Sequence, residues 1–265
     1  MIKRILNIAL FFLAIIGLFV SLAFSQRESE KVPCTDIRIE VDHVSGNFFV
    51  TKADVLDMIW SKGDSLKGKP ISSIPIAAYE RHINADPSIK RAEVYTKHNG
   101  VLAVKVYQRE PILRIISSNG ESFYLDKEGA VMPLSENYTA RVPVASGFIN
   151  EKQHIMQRYS VAEMSDSLKR RSCLDELFEL STFIRNDEFW KTQIQQIIVE
   201  ANGELTLVPT VGDHHILLGR TDKMEQKFNK LLLFYKKGLN TTGWDQYSHI
   251  NLKYKDQVIC TKKNS

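Results

Sequence analysis

The stretch GDSLKGKP, Gly63 to Pro70, stops one residue short of a phosphate-binding loop. Such a loop reads GxxxxGK followed by Ser or Thr. Its backbone amides cradle phosphate, its Lys reaches the outer phosphates and its hydroxyl holds magnesium. Gly63, Gly68 and Lys69 fit the spacing, but Pro70 offers neither a hydroxyl nor an amide hydrogen. Other catalytic signatures are missing too. No Ser has Lys three positions later, and neither HExxH nor GxSxG occurs. His214-His215 looks like a metal pair, yet adjacent residues of a strand point to opposite faces, so the pair reads as a turn entering HILLG. Asp126 and Glu128 in DKEG read as a solvated turn between strands rather than as an acid–base pair. No catalytic, metal or cofactor residues are expected, and the chain does not read as an enzyme.

The 265 residues, 43% of them hydrophobic, suffice for one or two domains. Lys plus Arg number 35 against 31 Asp plus Glu, a balance too even to indicate nucleic acid. Cys34, Cys173 and Cys260 lack zinc-knuckle or CxxC spacing and are expected as packing residues. After Lys3 and Arg4, ILNIALFFLAIIGLFVSLAF is an apolar run of about 20 residues, the length of a membrane-spanning helix. A retained anchor over residues 1–25 is expected. A cleaved signal peptide is the alternative, because Ser21 and Ala23 imitate a small-x-small site. Positive charge before the run places the N-terminus in the cytoplasm and everything from Gln26 onward outside it, where ATP is scarce.

The elements that must position any site follow from periodicity. DIRIEV alternates as a half-buried strand, and Thr51 caps a helix running to about Trp60, so GDSLKGKP follows a helix instead of a strand. A second helix starts near Pro75, carries Ile76, Tyr79 and Ile83 on one side and stops before Pro87. Strands at Lys90 to Thr96 and Val101 to Gln108 flank Asn99-Gly100, a pair that favours a type I′ turn. Arg109-Glu110-Pro111 marks a hinge, after which short apolar stretches alternate with turns as an antiparallel meander. Glu151 to Arg171 is a polar insertion, Leu174 to Ile184 a helix, and IQQIIVE, ELTLVP and HHILLG are strands. An amphipathic helix covers about Asp222 to Lys237, and HINLKY, a Lys255-Asp256 turn and QVIC close the chain. The fold class is α+β, with segments 1–25, 26–109 and 110–265.

One anchor followed by strand, helix, helix and hairpin resembles a POTRA module. Later landmarks resemble the FtsQ/DivIB family of bacterial cell-division proteins: INADPSIKRAEVYTKHNGVLAVKVYQREPIL at the module's end, SFYLDKEGAVMP, VPVASGF, HILLGR and HINLKYKDQVIC. Asn251 departs from the family's usual Asp. The resemblance implies a POTRA domain (26–109), a β domain (110–265) and a non-enzymatic, single-pass inner-membrane scaffold at the septum. Its implied partners are FtsB-like and FtsL-like proteins and, through them, the septal peptidoglycan synthase. It also implies partner binding by strand addition, with Lys253, Tyr254 and the strand Gln257, Val258, Ile259 and Cys260 forming the edge and Arg220 facing an acidic partner. The alternative for Tyr254 and Ile259 is packing within the sheet. The alternative functions are a POTRA-bearing envelope chaperone or transport component, and an exported enzyme of unrecognised type.

Overall fold

The computed structural model describes residues 13, 15–17, 32–43, 46–63, 65–97, 99–152, 160–161 and 172–263. The anchor expected over residues 1–25 lies almost wholly outside them, as does most of the polar insertion expected over 151–171. Among the described residues no helix is long and apolar enough to cross a membrane. The chain divides into two compact units, residues up to 44 with 50–108, and 45–49 with 109 onward.

In the first unit, strand β1 (Asp36–Asp42) leads to helix α1 (Lys52–Trp60), helix α2 (Ile76–Asn84), and strands β2 (Ile89–Thr96) and β3 (Val101–Gln108). Thr51 starts α1 with a capping box: its hydroxyl accepts from the Asp54 amide, and the Asp54 carboxylate accepts from the Thr51 amide. β1 and β3 pair in parallel, β2 and β3 antiparallel, in the order β1-β3-β2. The helical crossover is what lets two parallel strands become neighbours. Val55, Ile59, Tyr79 and Ile83 are buried, as are Ile39, Val94, Leu102, Val104 and Val106 from the sheet.

The β2–β3 connection corrects the expected type I′ turn. Gly100 donates to the Lys97 carbonyl, and Lys97 in turn donates to Val101. Among the described residues of the turn only Gly100 has positive φ, at 82°, whereas type I′ would require the left-handed region at Asn99 as well. The same bonding recurs at Ser117–Glu121 and Glu200–Glu204. In the latter two, the Asn before the Gly accepts a backbone bond, Asn119 from Glu121 and Asn202 from Glu204. Asn119 and Asn202 serve as side-chain acceptors, and the glycine of each turn supplies a left-handed residue.

The second unit contains one nine-stranded sheet in the order β12-β11-β10-β9-β8-β7-β4-β5-β6. Its strands are β4 (Pro111–Ile116), β5 (Ser122–Asp126), β6 (Val131–Met132), β7 (Val144–Gly147), β8 (Ile194–Val199), β9 (Leu205–Pro209), β10 (His215–Gly219), β11 (Tyr247–Asn251) and β12 (Ile259–Lys262). Helices α3 (Leu174–Asn186) and α4 (Trp190–Gln193) precede β8. Helix α5 (Met224–Phe234), continued by a π turn (Tyr235–Leu239), separates β10 from β11. The sheet is more mixed than the meander expected from sequence: β4–β7, β7–β8 and β10–β11 are parallel. α3 with α4 supplies the crossover between β7 and β8, and α5 the one between β10 and β11. Leu177, Leu180 and Ile184 of α3 join Phe228 and Leu231 of α5 in a core with Ile197, Leu207, Ile216 and Ile250.

Candidate functional site

A sheet edge is a template for another strand unless something covers it. In the first unit the edge strand β2 is covered from within. Asn84 of α2 exchanges both amide bonds with the Ala92 backbone, and the Glu80 carboxylate accepts from the Val94 amide. In the second unit β12 lies at one end of the sheet and, among the described residues, pairs only with β11. Lys263 donates to the Gln246 carbonyl on the β11 side. By alternation, Thr261 and Ile259 also turn their backbone groups towards β11, while Cys260 and Lys262 turn theirs outward. This edge carries no such cover among the described residues.

The hairpin that presents β12 is held by its own polar groups. Leu252 donates to Leu217 of β10, and the Asn251 carboxamide oxygen accepts from the Lys253 amide. Asn251, where the resembled family has Asp, therefore retains an acceptor at this turn. Asp256 takes the left-handed conformation, φ 57°. From α5, the Lys230 ammonium donates to the carbonyls of Tyr254, Leu252 and Gln257 at 2.6, 3.2 and 3.5 Å.

The residues expected at the edge separate into distinct roles. The edge strand is Ile259–Lys262, two residues later than the expected Gln257 to Cys260. Gln257 and Val258 belong to its approach, since Lys230 holds the Gln257 carbonyl to the turn. Val258 and Cys260 pack against the core, and burial pushes the Cys260 thiol pKa up. Tyr254 and Ile259 are exposed, at 47% and 43%. Lys253 bonds the Glu204 carboxylate at 3.0 Å. That bond, followed by one from Asn202, lowers the Glu204 pKa. Arg220 reaches the Glu176 carboxylate at 3.2 Å and the Asn202 carbonyl at 3.2 Å, so its guanidinium is engaged inside the unit. Lys255 and Lys262 are exposed and have no ion-pair partner among the described residues. The edge therefore offers outward main-chain groups, two exposed apolar or aromatic side chains and a positive rim.

The remaining chemical candidates resolve as structure. In GDSLKGKP, the Gly68 amide donates to the Cys34 carbonyl and Lys69 donates to Leu66, while the Lys69 carbonyl accepts from Cys34. These groups close the loop onto the segment before β1 instead of facing an anion. His214 and His215 diverge as expected: His214 is buried, its Nε2 2.9 Å from the Tyr235 hydroxyl, and His215 is exposed. Among the described residues no group of three His, Cys, Asp or Glu is placed to hold a metal. Cys34, Cys173 and Cys260 are free thiols. Burial first, then the neighbouring Glu151 carboxylate, pushes Cys173 up to about 12.

Asp126 differs from the solvated turn residue expected of it. It is 1% exposed, bonds Arg109 at 2.8 Å and accepts from the Glu128 and Ala130 amides. The local sequence showed the turn, but its burial follows from packing by residues distant in the chain.

Residues 110–261 match the family model described as FtsQ/DivIB, C-terminal related. Residues 32–107 match the model of a POTRA-like domain. No curated protein matches the chain.

Proposed function

We propose, for a chain that belongs to the FtsQ/DivIB family of cell-division scaffolds, that it holds its partner by strand addition at the outer edge of β12. The observation that carries this reading is the uncovered edge at Cys260 and Lys262, beside exposed Ile259 and Tyr254. An incoming strand would gain about 0.5–1.5 kcal/mol net for each main-chain bond, so backbone pairing alone gives modest affinity. Ile259 and Tyr254 would add apolar contact, and aromatic anchors of this kind commonly dominate interfaces. Lys255 and Lys262 would favour acidic residues flanking the added strand.

The partners in this reading are FtsB-like and FtsL-like proteins, and through them the septal peptidoglycan synthase. Residues 1–25 anchor the chain in the inner membrane with the N-terminus in the cytoplasm. Residues 26–109 form the POTRA domain and 110–265 the partner-binding β domain, both on the outer side of that membrane. Arg220 and Lys253 act mainly by bracing the β8–β9 turn against the segments that follow β10 and β11, given their bonds to Asn202, Glu176 and Glu204.

The test is co-purification of the membrane-anchored chain from its own cells, with and without Tyr254→Ala combined with Ile259→Asp. Retention of a small coiled-coil protein by the intact chain and its loss from the variant is the expected result. Equal retention by both would remove β12 from the interface. If the intact chain retains no such protein, the partner assignment fails as a whole.

A further inference from the structure

We infer that the second unit contains a binding site for a small apolar carboxylate, distinct from the β12 edge. A cavity of about 450 Å³ opens among the start of β4, the segment before β7, and helices α3 and α4. That volume lies within the range of about 300–1,000 Å³ usual for small-molecule sites. Ile112, Val142 and Ile184 line its apolar side. Ser181 contributes to the helix wall, and its hydroxyl is buried without a hydrogen-bond partner among the described residues.

The charge of the lining indicates the ligand's sign. Arg185 is paired with Glu110, so these two largely cancel. Glu110 also holds Lys127; burial raises its pKa, but the two cations outweigh that effect and leave it lowered. Arg141 lines the cavity, is exposed, and has no ion-pair partner among the described residues. Lys191 also lines it, and its carboxylate neighbour Glu188 is 89% exposed, where water weakens the pair. The cavity thus has one apolar wall and a cationic lining charge.

A planar guanidinium matches a carboxylate through two parallel bonds. The fitting chemistry is therefore a monocarboxylate on a short apolar body, as at the C-terminal end of an apolar peptide.

The experiment titrates the full-length chain in detergent with acetyl-Val-Val and, separately, with its C-terminal amide, reading the methyl resonances of Ile112 and Ile184. Saturable shifts with the acid, and at least tenfold weaker binding of the amide, are expected. Arg141→Gln should erase the preference for the acid while leaving partner retention at β12 unchanged. Because Arg141 is exposed and unpaired, this variant should fold as the original does. No shift with either peptide, equal affinity for both, or undiminished binding of the acid by Arg141→Gln would overturn the site. None of these outcomes depends on the β12 interface.

Discussion

The Lys230 ammonium donates to the carbonyl oxygen of Tyr254 at 2.6 Å, tying helix α5 to the turn that presents β12. Its further bonds to Leu252 and Gln257 make one side chain the brace of the whole hairpin. Lys230→Met keeps the aliphatic stem and removes the donors. Each charge-assisted bond contributes about 1.5–3 kcal/mol at most, and their shared geometry makes them less than additive. Faster amide exchange across Ile259–Lys262, with exchange in β8 and β9 unchanged, is the expected outcome. Unaltered protection of β12 would show that its pairing with β11 suffices.

Asp126 and Arg109 form a pair with one member fully buried. Removing one partner of such a pair costs about 3–5 kcal/mol when both are desolvated, and Arg109 at 23% exposure moderates this. Asp126→Ala should therefore lower stability by about 3 kcal/mol in chemical denaturation. It also leaves the Glu128 and Ala130 amides without their acceptor. Combining it with Arg109→Ala should cost less than the sum of the single changes. A loss under about 0.5 kcal/mol would return Asp126 to the status of an ordinary surface turn residue.

Gly147 ends β7 with φ 101°, and a Cβ there would sit 2.3 Å from the Val199 carbonyl oxygen. Neither the backbone conformation nor the neighbouring strand accommodates a side chain. Gly147→Ala should destabilise the second unit by at least about 2 kcal/mol, read from its thermal midpoint. Gly120→Ala separates strain from clash, because that site shares positive φ but has open space around the missing Cβ.

His214 supplies a pH dependence of definite sign. Burial lowers its pKa below the ordinary 6.5, and the positive charges of His215 and Lys263 lower it further. The unfolded chain then binds this proton more readily than the folded one. Its stabilising contribution is complete above about pH 6.5 and is lost as pH falls towards the folded value. The stability difference between the original chain and His214→Gln should shrink on going from pH 7.5 to pH 5.5. A difference that is flat or grows over that interval contradicts the buried neutral imidazole.

What the sequence determined by itself was local. The capping box at Thr51, the helix stripe of Tyr79 and Ile83, and the strand alternation of Leu102, Val104 and Val106 depend on residues a few positions apart. So do the glycine turns at 100, 120 and 203, although at Asn99-Gly100 the pair alone does not decide the turn type, because the left-handed region is needed at Gly100 and not at Asn99. Even the failure of GDSLKGKP as a phosphate loop was legible, from Pro70 and the helix before it.

Only the tertiary structure decided which strands became neighbours. Periodicity marks a residue's face but not its partner strand, so the parallel β7–β8 and β10–β11 pairings and the terminal place of β12 were not contained in any short window. The same holds for the bonds of Arg220 to Glu176 and Asn202, and for the cavity beside Arg141. Local conformation is set by the chain's own sterics and near hydrogen bonds, whereas burial, charge pairing and open edges arise when segments remote in sequence are packed together.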